Sequence, residues 1–330
     1  MKKYNVIAVI VAYNNPQELY ACVEGIVAQT YPVASVIVID NSSNEYYKEN
    51  DEVLKLFSHT KFVYFKTGKN LGSAGGYSIG IQKAVKSEAD FIWLNDQDGV
   101  PDADCLRELI NGYEANKQVP GLYAPQVIDI HDGYALTSFR QAINKFANMM
   151  DLPDGSCEYQ KFDIAGTTGV LLSIDMVKNI GSYNKEVFFV GNEDLEYSLR
   201  LKSAGYNCTL VKKSLYRHPD LTKKYHDKAR AITKLPVSYK LRPLNLGVDS
   251  DATYRTKKNC EGKSYINSLY VPVVYRYINL TYSILRLFII KIFNRNVNVR
   301  NTIHAYSEGM RMARKDRKRM LSLQNKERQE

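Results

Sequence analysis

"DFIWLNDQDGVPDADCLRELINGYEAN", residues 90–116, joins an apolar run to an amphipathic one through an acidic turn. "DFIWLN" (90–95) reads as a buried strand, because its apolar residues are continuous rather than alternating. "DCLRELINGYEAN" (104–116) reads as a helix with Leu106, Leu109, Ile110 and Tyr113 on its inward face. Four carboxylates run from Asp96 to Asp104 across the junction. Like carboxylates repel, and each loses hydration if it is buried. A strand that ends in such a cluster delivers it to something that can receive negative charge.

The same alternation runs upstream. "NVIAVIVAY" (5–13) is a β-branched strand, and "PQELYACVEGIVAQ" (16–29) is a helix with Leu19, Cys22, Val23, Ile26 and Val27 on one face. "ASVIVIDNSS" (34–43) and "KFVYFKT" (61–67) are further strands, and "GYSIGIQKAVKS" (76–87) is a helix. Downstream, "AGTTGVLLSID" (165–175) runs from strand into a helix that stops at Gly181. "EDLEYSLRLKSAGY" (193–206) is a helix ended by Gly205, and "NCTLVKKSLYRH" (207–218) is a strand. Strands alternating with helices predict an α/β fold: a mostly parallel twisted sheet with helices on both faces. Ligands of such sheets bind beyond the carboxyl ends of the strands. "AYNN" (12–15), "DNSS" (40–43) and "NDQD" (95–98) all lie at those ends.

Composition narrows the partners. The 330 residues carry 45 Lys and Arg against 35 Asp and Glu, a net charge of +10, which points to an anionic partner. A basic segment from Arg311 to Arg328 contributes to the excess. Zinc-finger, helix-turn-helix and RNA-binding signatures are absent, so nucleic acid is not expected. The five cysteines are odd in number and widely spaced, which disfavours a disulfide framework or zinc site and fits a reducing cytosol. "MKKYNVIAVIVAYNNP" (1–16) has two lysines before a short β-branched run without a small-residue cleavage site, and reads as a first strand rather than a signal peptide.

Residues 265–294 are rich in aromatic and aliphatic side chains, with Arg276, Arg286 and Lys291 as their charges. Pro272 interrupts the longest charge-free stretch, so a membrane-spanning helix is not expected. The pattern suits a helix at an anionic membrane face, or one packed on the preceding domain or on another subunit.

Three motifs carry chemistry, each with a plainer reading beside it. Asp96 and Asp98, two apart on a turn, can direct both carboxylates at one cation; few hard oxygen ligands suit Mg2+ or Mn2+ shared with phosphates. They equally suit an Asp-rich turn. "GKNLGSAGGYSIG" (68–80) is glycine-dense and can bring backbone N–H groups to a phosphate or ribose, or can simply be flexible. It fits neither a P-loop nor a dinucleotide fingerprint. Glu193, Asp194 and Glu196 open a helix, where the macrodipole alone favours acids; a carboxylate there can also take a proton from a hydroxyl. His218 can complete a metal site or be a surface histidine.

Taken in order, "AYNN", "DNSS", "NLGSAGG", "NDQD", "NEDLEYSLRLKSAGY" and "RH" resemble the family 2 inverting glycosyltransferases over roughly residues 4–220. The resemblance implies the GT-A fold. "NLGSAGG" and "FFVGNEDLEYSLR" are similar to galactofuranosyltransferases, and "DQD" also to rhamnosyltransferases of bacterial surface polysaccharides. Many relatives carry three consecutive aspartates where this chain has Asp96-Gln97-Asp98; Gln97 loses a charge and keeps the two alternating ligands.

The resemblance further implies residue roles. Ala12, Tyr13 and Asn14 line the base, and Asp40 hydrogen-bonds the nucleobase or ribose. Asn70, Gly75 and Gly76 pack against the nucleotide or sugar. Asp96, Asp98 and His218 hold Mn2+ or Mg2+ on the diphosphate, and Asp194, with Glu193 beside it, is the general base. The expected substrates are a UDP or dTDP sugar and a lipid-linked saccharide acceptor. Residues 1–225 would form the catalytic domain, and residues 226–330 a mostly helical extension meeting a membrane surface or, in a homo-oligomer, another copy. A non-catalytic nucleotide-sugar binder and a nucleotidyltransferase are the alternative functions.

Overall fold

β1 (Val6–Ala12) is apolar at every position and must be covered on both faces, so the sheet grows outward from it. The computed structural model describes residues 3–152, 157–219, 244–248, 253–293 and 297–327. β1 pairs in parallel with β2 (Ser35–Asp40) on one side and β4 (Phe91–Asp96) on the other. β3 (Phe62–Lys66) continues the parallel run beyond β2. β11 (Val170–Ser173) is antiparallel to both β4 and β6 (Gly121–Asp129), and β12 (Asn207–His218) is parallel to β6. The order is β3-β2-β1-β4-β11-β6-β12, with β5 (Val100–Pro101) and β9 (Tyr159–Phe162) both antiparallel to β12. The sheet is therefore mixed but mostly parallel, and chain order reverses between β1 and β4, the position where such folds hold ligands.

Helices cover both faces, as the alternation predicts. Leu19, Val23 and Ile26 of α1 (Pro16–Val27) and Leu106, Leu109 and Ile110 of α4 (Cys105–Ala115) pack with one half of the core. α2 (Tyr47–Lys55) connects β2 to β3. Tyr77 and Ile81 of α3 (Gly72–Val85), Met176 and Val177 of α5 (Ile174–Ile180) and Leu201 of α6 (Glu193–Ser203) pack with the other half.

The chain divides into two compact units. The first comprises Met1–Ala142, Asp151–Tyr183 and Tyr197–Pro236; the second comprises Ile143–Met150, Asn184–Glu196 and Val237–Glu330. The boundary expected at residues 225 and 226 lies outside the described residues, as do residues 328–330 at the end of the basic segment. In the second unit, α7 (Tyr254–Tyr270) and α9 (Val299–Glu327) run close together. A Cβ on Gly309 would lie 2.2 Å from the Glu261 carbonyl, and Ser264 Oγ donates to Tyr306 O at 2.7 Å. Leu244, Leu246, Cys260, Val271, Ala305 and Tyr306 form this unit's core.

Pro272 interrupts no helix: it falls between α7 and α8 (Val273–Phe293), an unbroken helix of 21 residues. Among the described residues, Val273–Ile292 is the one segment long and apolar enough to cross a membrane by length and composition, with a mean hydropathy of 1.3. Proline has no N–H to lose at a helix start, so it opens this helix rather than breaking it.

Glycine lets α3 lie against the sheet. A Cβ on Gly80 would sit 2.3 Å from Val9 Cγ1, and one on Gly76 would sit 2.6 Å from Val11 Cγ1. Both valines are β-branched strand residues with little rotamer freedom. Gly80→Ala should therefore destabilise the protein by about 1–3 kcal/mol of overpacking, less about 1 kcal/mol of helix propensity regained. Urea denaturation should show the loss, and Val9→Ala in the same chain should recover part of it.

Candidate active site

The ends of β1 and β4 lie side by side, with Val11 opposite Asp96. Past the strand ends, the Gln97 side chain takes over the pairing. Its Oε1 accepts from Tyr13 N at 2.7 Å, and its Nε2 donates to Tyr13 O at 2.8 Å. A carboxylate could make only the first of these bonds. The departure from three aspartates thus has a structural use: it ties the acidic turn to Tyr13.

Asp96 is received by hydroxyls. Tyr77 OH and Thr168 Oγ1 each donate to one of its carboxylate oxygens. Burial, then the neighbouring Asp98 charge, raise its pKa above the ordinary carboxylate range, against the lowering effects of His218, Thr168 and Tyr77. Burial, with Asp96 next to it, also drives the Tyr77 phenol well above its usual value, so Tyr77 remains a donor. Asp98 Oδ1 lies 3.1 Å from His218 Nε2, while His218 Nδ1 donates to Pro219 O at 2.8 Å. That second bond fixes the proton on Nδ1 and turns Nε2 toward the carboxylates, the arrangement usual in metal-ligating histidines. Burial alone would lower the His218 pKa; the hydrogen bond to Asp98 and the charges of Asp98 and Asp96 outweigh it, and the net shift is upward.

These three side chains meet the requirements of a divalent cation. One ligand atom each from Asp96, Asp98 and His218 lies within 4.8 Å of the others. Two carboxylates and one imidazole form a donor set suited to Mn2+ or Mg2+. Thr168 is held in turn by Arg140, which is only 3% exposed. The Arg140 guanidinium donates to the carbonyls of Pro125 at 3.1 Å, Phe139 at 2.7 Å, Gly166 at 2.9 Å and Thr168 at 2.6 Å. Burial lowers its pKa to about 10, which still leaves it charged at neutral pH. The motif reading missed Tyr77, Thr168 and Arg140: Tyr77 was passed over within the glycine-dense 68–80 stretch, and Thr168 and Arg140 lie in no charged run.

Beside this cluster, Tyr13, Asn41, Ser42, Ser43, Asn44, Gly68, Lys69 and Asn70 line a cleft of about 300 Å3. Asn14, at φ +48°, closes one wall: its N–H donates to Ser42 Oγ and its Oδ1 accepts from Ser43 N, both at 2.9 Å. Asn70 Oδ1 accepts from Gly72 N at 2.8 Å. Tyr13 is half exposed, and it and Asn70 both line this cleft.

Other expected contacts turn inward. Asp40 is fully buried, and its carboxylate accepts from Ser42 N and Asn50 Nδ2, each at 2.8 Å, and from Tyr64 OH. A carboxylate with three protein donors braces the wall, and its neighbours Asn41 and Ser42 reach the cleft instead. Ala12 is fully buried within β1. Gly75 and Gly76 are buried in α3, where Gly76 packs on Val11 and Asn41. Glu193 and Asp194 open α6; Glu193 is buried, Asp194 is half-buried, and both are counted with the second unit. Asp194 Oδ1 accepts from Leu195 N at 2.7 Å.

Comparison with known proteins agrees with this arrangement. Residues 7–160 match the family described as Glycosyl transferase family 2. Galactofuranosyltransferase GlfT1 of Mycolicibacterium smegmatis is 26% identical over 220 residues, which make up 65% of this chain and 70% of that protein. Its counterpart in Mycobacterium tuberculosis is 28% identical over the same length and shares. The structure of GalNAc-T7 with UDP, GalNAc and Mn2+ superposes with a TM-score of 0.55 at 20% identity, over 66% of this chain but only 44% of that one. A mannosyltransferase from Pyrobaculum calidifontis in complex with GDP-Man and Mn2+ gives 0.50 at 14% identity, over 68% of this chain and 60% of that one.

A mostly parallel sheet with a polar cleft and an acidic cluster at its switch point defines a glycosyltransferase of the GT-A fold. More narrowly, residues 7–160 match glycosyl transferase family 2, and the protein is a glycosyltransferase.

Two substitutions probe the cluster. His218→Ala should weaken Mn2+ binding by at least about 10-fold, the lower bound for loss of even an outer-shell group; an unchanged calorimetric titration would remove His218 from the site. Arg140→Lys keeps the charge but replaces a planar fork with three donors on one nitrogen. It should cost about 1–3 kcal/mol in urea denaturation, because at least one buried carbonyl loses its partner.

Proposed function

We propose that the protein moves galactofuranose or rhamnose from a nucleoside-diphosphate sugar to a saccharide hydroxyl, with inversion, in bacterial surface-polysaccharide synthesis. The galactofuranosyltransferase relatives favour galactofuranose, carried on UDP; rhamnose on dTDP is the second donor. The acceptor is a lipid-linked saccharide. The observation that carries the reading is the juxtaposition, within the first unit, of the Asp96–Asp98–His218 cluster with the polar cleft.

Tyr13, Asn41 to Asn44, Gly68, Lys69 and Asn70 bind the nucleotide, with Lys69 supplying a cation to the cleft. Asp96, Asp98 and His218 hold Mn2+ or Mg2+ at the donor diphosphate. When bound, that ion supplies the positive charge that stabilises the leaving diphosphate. Tyr77, Thr168 and, through Thr168, Arg140 keep Asp96 aimed. The acceptor hydroxyl attacks the anomeric carbon opposite the leaving group, so the single displacement inverts configuration. Asp194, as the family resemblance implies, takes the hydroxyl proton as the bond forms.

The test is release of nucleoside diphosphate from a panel of nucleotide sugars, with and without Mn2+, in the presence of saccharide acceptors. Asp98→Ala should nearly abolish transfer while leaving the unfolding midpoint close to wild type. Asp194→Asn should lower turnover by at least about 10²-fold, the low end for loss of a general base, with donor affinity little changed. Wild-type turnover and metal dependence in Asp98→Ala would sink the metal assignment. Equal losses of turnover and donor affinity in Asp194→Asn would make it a binding residue instead of a base.

A further inference from the structure

α8 is built inside out. Its buried arc mixes polar and apolar residues: beside Leu287, Asn279 is 0% exposed and Ser283 is 1% exposed. Asn279 Nδ2 donates to Phe146 O and Asn267 Oδ1, each at 2.8 Å. Asn279 Oδ1 accepts from Leu244 N, and Ser283 Oγ from Leu246 N, each at 3.0 Å. The opposite arc is apolar. At about 100° per residue, Val274, Tyr277, Leu285, Phe288, Ile289 and Ile292 fall within about 120° of one another. These six are 52–75% exposed, the bounds being Phe288 and Ile292. A helix on a water-facing surface has the reverse pattern, and a contiguous apolar stripe of this kind marks a surface that something covers.

Charge says what covers it. α8 holds no acidic residue, and Arg286 and Lys291 fall about 100–120° to either side of the stripe. α9 turns a cationic face outward: Arg300, His304, Arg311, Arg314, Lys315 and Lys318 are all exposed and lie within an arc of about 100°. Arg311 shares its charge with Glu308 at 2.8 Å; the buried side of α9 carries Thr302, Tyr306, Gly309 and Ala313. A second copy seated on α8 would bring the same cations and no carboxylate from that helix to meet them. A spanning orientation would strip Asn279 and Ser283 of their partners inside hydrocarbon.

We infer that α8 lies in the surface of an anionic lipid bilayer, with its apolar arc among the acyl chains and the cations of α8 and α9 at the headgroups. A monotopic helix gains both from apolar burial and from attraction to anionic lipid. The inference stands on the second unit and is independent of which sugar the first unit transfers.

The full-length protein should co-sediment with phosphatidylcholine vesicles that contain phosphatidylglycerol, much less with phosphatidylcholine alone, and should be released by alkaline carbonate. Phe288→Glu with Ile292→Glu should reduce the bound fraction by at least about tenfold at unchanged far-UV dichroism. Arg314→Gln with Lys315→Gln and Lys318→Gln should weaken anionic binding and flatten its salt dependence. Should the glutamate variant fail to fold, Ile289→Cys carrying an environment-sensitive dye gives the same answer: its emission should shift to the blue when anionic vesicles are added. Four results overturn the inference: a full chain that stays in the supernatant, a dye that does not respond, resistance to carbonate, or a lipid-free dimer that the glutamates split into monomers.

Discussion

Asp96 and Asp98 point at one place, and their mutual repulsion is the constraint around which the first unit is organised. Coulomb energy between close like charges rises steeply as water is excluded. The fold answers with donors rather than with distance. Tyr77 comes from α3, Thr168 from the turn before β11, and His218 from the last residue of β12. α3 packs on β1, β11 pairs with β4 and β12 pairs with β6, so the donors come from both halves of the sheet. Arg140 lies one layer further down and holds the 166–168 turn in place through its carbonyls. A divalent cation held there would meet polar partners that are already fixed, which is what preorganisation requires.

Most of the sheet was legible because its strands are either uniformly apolar or end in polar turns. "VIAVIVA", "SVIVID" and "FIWLND" could hardly be anything else, and their ends converge as the alternation predicts. The Asp96–Asp98–His218 cluster was implied by the family resemblance, whereas the spacing of two alone left an Asp-rich turn open and His218 could have been a surface histidine. What could not be read depends on partners distant in sequence. Asp40 in "DNSS" has the composition of a ligand-facing turn, yet Asn50 and Tyr64, 10 and 24 residues further on, draw its carboxylate inward. Gly75 and Gly76 suggested an open loop until Leu71 and Val11 filled the space that a side chain would need. Arg140 carries no local signal, since its four partners are backbone carbonyls, which any sequence can supply.

The second unit shows the limit of periodicity more sharply. A count of apolar positions in α8 gives an amphipathic helix but not which face is outside. Only the partners of Asn279 and Ser283 show that the polar side is the inner one. Pro272 misled for a related reason: proline ends a helix when it falls inside one, and the sequence does not say that α7 has already finished at Tyr270.

The amide of Gln97 has a thermodynamic corollary. It joins Tyr13, on the wall of the polar cleft, to the turn between Asp96 and Asp98, where the proposed nucleotide and cation would sit, by a pair of bonds that behaves like one more rung of the sheet. Two binding sites that share a rigid rung are not independent. If the ion narrows the motion of the 96–98 turn, it narrows that of Tyr13 as well, and less entropy is left for the nucleotide to lose. By reciprocity, the factor by which the ion tightens the nucleotide is the factor by which the nucleotide tightens the ion. An aspartate at position 97 would keep the charge pattern of its relatives but break one half of that rung, and the two ligands would then meet as neighbours instead of as parts of one cooperative unit.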